Sequence, residues 1–141
     1  EESFKPVIKD FFNRNVQLQE KINFLGNITS REKIYEIYSK SKIFCMTSRY
    51  EGFPLVFPEA LYFGNFIVTT DVSGAYDITL NEKYGRVIKN DDVKEYASVL
   101  TDLINTSFLN EKICTEIIDF AKEKFTWQSI VKDLNTKIKA L

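Results

Sequence analysis

Two carboxylates, Glu51 and Glu59, stand with seven residues between them in the stretch Arg49-Tyr50-Glu51-Gly52-Phe53-Pro54-Leu55-Val56-Phe57-Pro58-Glu59-Ala60, where an apolar strand-like run gives way to a helical pattern. One acid falls in the loop and the other on the helix. Strand-to-helix turns of parallel sheets gather orphan backbone N–H groups and the positive end of a helix dipole, which suits them to phosphorylated ligands. Carboxylates beside such a turn repel phosphate but accept hydrogen bonds from hydroxyls, so the chemistry indicated is that of a sugar or a ribose carried on phosphate. A helix opening at Pro54 offers an anion the N–H groups of Leu55 and Val56, Pro54 having none. Glu59 would lie about 7.5 Å along the axis from Pro54 at about 1.5 Å per residue, so the two acids can bracket a phosphate at the helix end. The spacing alone fits a pair of solvated acids near a helix N-terminus equally well.

Alternating strand and helix periods position this turn. Phe4 to Arg14 reads as a helix and Lys21-Ile22-Asn23-Phe24-Leu25-Gly26 as a short strand ending at a glycine. Thr29, three residues before Glu32, makes a capping box for a helix that buries Ile34, Ile37 and Tyr38. Lys42 to Thr47 is a continuous apolar run of the kind covered on both faces. Pro54 and Gly64 delimit the next helix, Pro54 to Phe63, and two further strands span Phe66 to Thr70 and Arg86 to Lys89. Beyond Asp91 the chain is helical. Val93, Tyr96, Ala97, Leu100, Leu103 and Ile104 form one stripe, Ile113, Ile117 and Ala121 another. Thr126 caps a last helix with Trp127, Ile130, Val131, Leu134 and Ile138 on one face; these stripes read as core, not as cofactor contacts. The alternation gives an α/β, Rossmann-like doubly wound parallel sheet followed by C-terminal helices, in a single domain with no internal linker.

At 141 residues, 44% apolar and 14% aromatic, the chain can bury one globular core. The 19 basic and 20 acidic residues are not gathered into runs, which argues against a nucleic-acid partner. Cys45 and Cys114 have no metal-ligand spacing and read as buried free thiols, pointing to a reducing, cytoplasmic setting. No apolar run approaches a membrane span of about 20 residues, and Glu1-Glu2-Ser3 has no signal-peptide character.

Taken in order, Phe24-Leu25-Gly26, Thr47-Ser48, the Glu51 to Glu59 motif with Ala60-Leu61 and Gly64, Thr70-Asp71 with Gly74, Gly85-Arg86-Val87, Asp91-Asp92 and Phe125-Thr126-Trp127 resemble the C-terminal domain of the retaining nucleotide-sugar glycosyltransferases of the GT-B fold, family four or group 1. The resemblance implies that Glu51 contacts the donor sugar and acts in catalysis, and that Glu59 binds the ribose hydroxyls. It implies that the amides of Gly52, Phe53, Leu55 and Val56 hold the sugar and pyrophosphate, and that Asn27 and Ile28 lie where the base is placed. The reaction implied moves a sugar from a nucleotide-sugar donor to an acceptor hydroxyl in glycan or polysaccharide biosynthesis, with retention at the anomeric carbon. No cofactor or metal is expected; the absence of His and of an Asp-x-Asp pair agrees with this. The partners implied are the donor, an N-terminal acceptor domain of the parent enzyme, and peripheral association of that parent with a membrane.

Two departures accompany the resemblance. Pro54 stands where a glycine is common, which removes one N–H donor, a change some members share. Family C-terminal domains also begin with two further strands, whose first loop carries the Arg and Lys that neutralise the diphosphate. The chain therefore reads as a fragment beginning part-way through the domain. In a sheet of order 3-2-1-4-5-6 the missing strands lie between Lys21 to Leu25 and Lys42 to Thr47. The fragment would pair these two directly, borrow a strand from a second copy, or be preceded by further residues. Rival readings are a non-catalytic nucleotide-binding or interaction half-domain, and a fragment of a GT-B-type epimerase or phosphorylase.

Overall fold

The computed structural model describes residues 5–140, in two compact units that divide between Arg31 and Glu32. In the first, α1 (Lys5–Arg14) is followed by a single 3₁₀ turn, Val16–Leu18. Phe12 packs edge-on against Phe11 and Phe24, with ring centroids 5.6 and 5.5 Å apart. Phe4, the first residue expected in this helix, lies outside the described residues. The strand expected over Lys21 to Gly26 is not formed: residues 22–30 carry no regular structure, and Ile22, Phe24 and Leu25 are exposed. A parallel strand persists only where a neighbour takes its N–H and C=O groups. Among the described residues the sheet has three strands, and this segment is not one of them.

The second unit is α/β. Helix α2 (Arg31–Lys40), starting two residues beyond Thr29, leads to β1 (Ile43–Met46), α3 (Val56–Tyr62), β2 (Phe66–Thr70), α4 (Ala75–Ile78), β3 (Gly85–Ile88), α5 (Val93–Asn105), α6 (Glu111–Phe125) and α7 (Trp127–Lys139). The strands form one parallel sheet in the order β1-β2-β3, with Phe44 beside Ile67 and Ile67 beside Gly85. Side chains alternate between faces along a strand, so this register sends Phe44, Ile67 and Gly85 to one face and Cys45, Val68 and Arg86 to the other. On the first face Phe57 of α3 meets Phe44 edge-on at 6.0 Å, and Thr79, just beyond α4, lies against Gly85. On the second, Tyr96 of α5 bonds to the Val68 carbonyl and Phe108 meets Phe66. Helices on both faces bury all five residues of β2, the doubly wound arrangement expected of the sequence.

Three features depart from the sequence reading. The apolar run of β1 predicts cover on both faces, but the strand is half-buried with Cys45 exposed, and among the described residues it lies at an edge of the sheet, with β2 the enclosed strand. The helix expected from Pro54 begins at Val56, although Phe57 N–H already donates to the Pro54 carbonyl, so one tight turn precedes it. The apolar face of α7 is not core: its Thr126 cap is formed, yet no α7 residue is buried, and Trp127 is 79% exposed. In α6, by contrast, Ile117, Phe120 and Ala121 are buried, and this helix packs on α3. Leu103 is the buried residue of the α5 stripe, whose Val93 and Ile104 are exposed.

Gly85 is required by close approach. A Cβ there would sit 2.3 Å from Thr79 Cγ2 and 2.8 Å from the Ile67 carbonyl oxygen. Gly85→Ala is therefore expected to destabilise the fold by about 1 to 3 kcal/mol, the usual cost of overpacking. Urea denaturation followed by circular dichroism reads this directly, and an unchanged midpoint would contradict the packing described.

Candidate functional site

The turn between β1 and α3 is built around a buried proline. Pro54 anchors it to the core, while Glu51 is half-buried and Gly52, Phe53, Leu55 and Val56 are exposed. Phe57, Ala60 and Leu61 hold α3 against the unit below. The first turn is pinned by Phe57 N–H to the Pro54 carbonyl at 3.0 Å and Glu59 N–H to the Leu55 carbonyl at 3.4 Å. The amides of Gly52, Phe53, Leu55 and Val56 donate to no acceptor among the described residues. A helix start leaves such donors by construction. Here they sit at the carboxyl end of the sheet, where open α/β folds take their ligands.

Glu59, in the first turn of α3, has a different setting. It is half-buried and lines a groove of about 320 Å³ with Tyr35, Pro58, Tyr62, Phe63, Ala121 and Phe125, a groove that Glu51 does not line. Tyr35 and Tyr38 lie 5.3 and 5.7 Å from the Phe63 ring. Burial first, and the negative charge of Glu59 second, push the Tyr38 hydroxyl above its ordinary pKa. Glu51, Gly52, Phe53, Leu55 and Val56 thus share one turn, and Glu59 stands one turn into the helix on an aromatic surface. Asn27 is exposed and Ile28 half-buried, both in the first unit.

A second group of polar residues gathers where the strands end. The Thr70 hydroxyl donates to the Ser48 carbonyl, Asp71 N–H to the Ile88 carbonyl at 2.8 Å, and Asn90 Nδ2 to the Asp71 carbonyl at 3.3 Å. Arg49 Nε and Nη2 both reach Asp91 Oδ1, at 3.1 and 3.0 Å. With side chains 82% and 70% exposed, this pair is worth about 0 to 1 kcal/mol. Its interest is positional, since it ties the loop before Glu51 to the segment after β3. Sequence reading noted Arg49 and Asp91 without pairing them. They are 42 residues apart, and no local pattern joins them.

The comparisons with known proteins agree with this architecture. The family model described as glycosyl transferases group 1 matches residues 11–124, and the chain belongs to that family. It is similar, at 30% identity over 105 residues, to the GalNAc-alpha-(1->4)-GalNAc-alpha-(1->3)-diNAcBac-PP-undecaprenol alpha-1,4-N-acetyl-D-galactosaminyltransferase of Campylobacter jejuni, covering 74% of this chain and 27% of that protein. It is similar, at 30% over 99 residues, to the capsular polysaccharide biosynthesis glycosyltransferase CapM of Staphylococcus aureus, covering 70% of this chain and 26% of that protein. A probable sucrose-phosphate synthase of Thermosipho melanesiensis is 30% identical over 111 residues, covering 75% of this chain and 25% of that protein. The chain thus matches about a quarter of the length of these relatives. Among the described residues no cluster of three or more His, Cys, Asp or Glu could hold a metal, and no helix is long and apolar enough to cross a membrane.

Tyr96 fastens α5 to the sheet beside this site. Its hydroxyl donates to the Val68 carbonyl at 2.7 Å and lies against the Cys45 thiol. Burial first, then the neighbouring thiol, raises the Tyr96 pKa well above its ordinary value. Above about pH 10 the unfolded chain gives up its tyrosine protons while folded Tyr96 keeps its own, so stability that is whole below that pH is lost as pH rises. Tyr96→Phe removes this contribution, and denaturation midpoints between about pH 9 and pH 11 should fall less steeply in the variant than in the parent. Equal alkaline losses would show that Tyr96 is not the group responsible.

Proposed function

We propose that this chain is the donor-binding part of a retaining glycosyltransferase that moves a sugar from a nucleotide-sugar to an acceptor hydroxyl in glycan or polysaccharide biosynthesis. The observation that carries the reading is the run of unpartnered amides at Gly52, Phe53, Leu55 and Val56, at the carboxyl end of a parallel sheet and flanked by two half-buried glutamates. Such amides stabilise a departing pyrophosphate without reorganising, and the buried Pro54 keeps them fixed. Glu51, in the same turn, contacts the donor sugar and stabilises the oxocarbenium-like charge that grows as the leaving group departs. Glu59 accepts hydrogen bonds from the ribose hydroxyls.

The rest of the enzyme supplies the acceptor site and the cations that complete neutralisation of the diphosphate; this stretch by itself is expected to bind donor weakly and to transfer no sugar. No metal takes part in this reading. The acceptor is a growing glycan, in keeping with the capsular and undecaprenol-linked products named for two relatives. A lipid-linked acceptor would bring the parent to a membrane surface as a peripheral protein. The free thiols Cys45 and Cys114 suit the cytoplasm.

In the longer enzyme Glu59→Gln is expected to weaken nucleoside-diphosphate binding by about 1 to 3 kcal/mol, because charge-assisted hydroxyl contacts become neutral ones. Titration calorimetry showing unchanged affinity would remove Glu59 from the site. Glu51→Ala should lower turnover far more than nucleotide affinity, since its value lies in the transition state. Parallel losses of rate and affinity would make Glu51 a binding residue only.

A further inference from the structure

We propose that the outer edge of β3 is a strand-pairing surface for a second copy of this chain, held shut by the side chains of Glu82 and Arg86. In a parallel sheet alternate residues turn their N–H and C=O groups to opposite sides of the strand. The Tyr84 and Ile88 carbonyls accept from Ile67 N–H in β2 and Asp71 N–H just beyond it, so Gly85, Val87 and Lys89 face outward. Outward groups of this kind are a ready template for another strand, and the same edge on two copies can pair about a two-fold axis. Here such groups are already engaged. Val87 N–H donates to Glu82 Oε1 at 2.9 Å, the Gly85 carbonyl accepts from Arg86 Nη1 at 2.7 Å, and the Lys89 carbonyl accepts from Asp92 N–H at 3.2 Å. Arg86 Nη1 also donates to the Glu82 carbonyl at 2.7 Å, which joins the two side-chain caps.

The segment that aims Glu82 is strained, which sets this contact apart from a chance surface bond. Leu80, Asn81 and Glu82 have φ of +53°, +51° and +65°, successive left-handed residues with no glycine among them. Asn tolerates that conformation, whereas Leu and Glu adopt it at a steric cost. Such strain persists only where the surroundings over-determine it. Leu80 N–H donates to the Asp77 carbonyl at 3.2 Å, Asn81 N–H to the Tyr76 carbonyl at 2.7 Å and Glu82 N–H to the hydroxyl of buried Thr79 at 3.2 Å. The run thereby lays the half-buried Glu82 carboxylate beside the strand edge. A glycine at 82 would take the same φ without cost but could not reach Val87 N–H. Arg86 is held by the sheet itself, its guanidinium 5.5 Å from the centroid of the Phe66 ring. Charged side chains on an edge strand are one of the ways in which folds prevent edge-to-edge pairing. A copy docking here would have to strip both a carboxylate and a guanidinium of their bonds.

This edge shares no residue with the 51–56 turn or with Glu59, so the inference holds whatever ligand that turn takes. Sedimentation velocity over a concentration series, on the protein and its variants, is the test, with circular dichroism verifying that each variant is folded. The parent and Glu82→Gln, whose amide oxygen still accepts from Val87 N–H, should sediment alike. Glu82→Gly relieves the left-handed strain and deletes one cap, while Arg86→Met keeps an apolar stem over Phe66 and frees the Gly85 carbonyl. Both should self-associate, the weight-average mass climbing toward that of two chains as concentration rises. Adding Val87→Pro to Glu82→Gly removes the outward N–H itself, a change that an edge strand tolerates, and should return the mass to that of the parent. The two single variants act on different groups, so one of them folded is enough to decide. Folded Glu82→Gly or Arg86→Met protein that sediments as the parent does would overturn the proposal, as would self-association that Val87→Pro leaves untouched.

Discussion

Burial of β2 on both faces is the constraint on which the rest of this structure depends. A strand with no solvent-facing side chain must be covered by helices above and below, and the parallel direction of its neighbours forces each connection to cross over the sheet. The chain satisfies this with α3 and α4 on one face and α5 on the other, through Phe57 against Phe44, Thr79 against Gly85 and Tyr96 against the Val68 carbonyl. Each crossover delivers its polar loop to the carboxyl edge of the sheet. The 51–56 turn, the Thr70–Asp71 step and the Asn90-Asp91-Asp92 segment therefore meet at one rim, although no contact in the sequence itself would join them.

That rim has a divided electrostatic character. The start of α3 offers N–H groups without acceptors, a place for negative charge, whereas Glu51, Asp91 and Asp92 favour hydroxyl donors. A sugar diphosphate carries both kinds of group on one molecule. Pro54 contributes in two opposed ways. It withholds one donor from the turn and, being buried, fixes the conformation of the others, so the remaining amides need no reordering on binding.

Much of this was legible in the sequence because it is local. Apolar runs at 42–47 and 66–70, the Thr126 cap and the proline-to-glycine interval around α3 are short-range patterns, and each marks a real element within one or two residues. What failed depended on partners. Lys21 to Gly26 has the composition of a strand but forms none among the described residues, and the α7 stripe has helical period but nothing described that covers it. Cys45 lies in an apolar run yet is exposed, because the run forms the edge and not the middle of the sheet. The Arg49–Asp91 pair, the left-handed Asp91 and the placement of Glu59 among Tyr35, Tyr62 and Phe63 arise from tertiary packing, which periodicity does not encode.

The most direct test of the central proposal, that the turn after β1 cradles the phosphates of a nucleotide-sugar, is an amide ¹H–¹⁵N spectrum of the labelled protein titrated with uridine and guanosine diphosphates. The account predicts downfield shifts of the amide protons of Gly52, Phe53, Leu55 and Val56, each acquiring a charged acceptor. Saturable binding that leaves these four amides unmoved while others shift would contradict it.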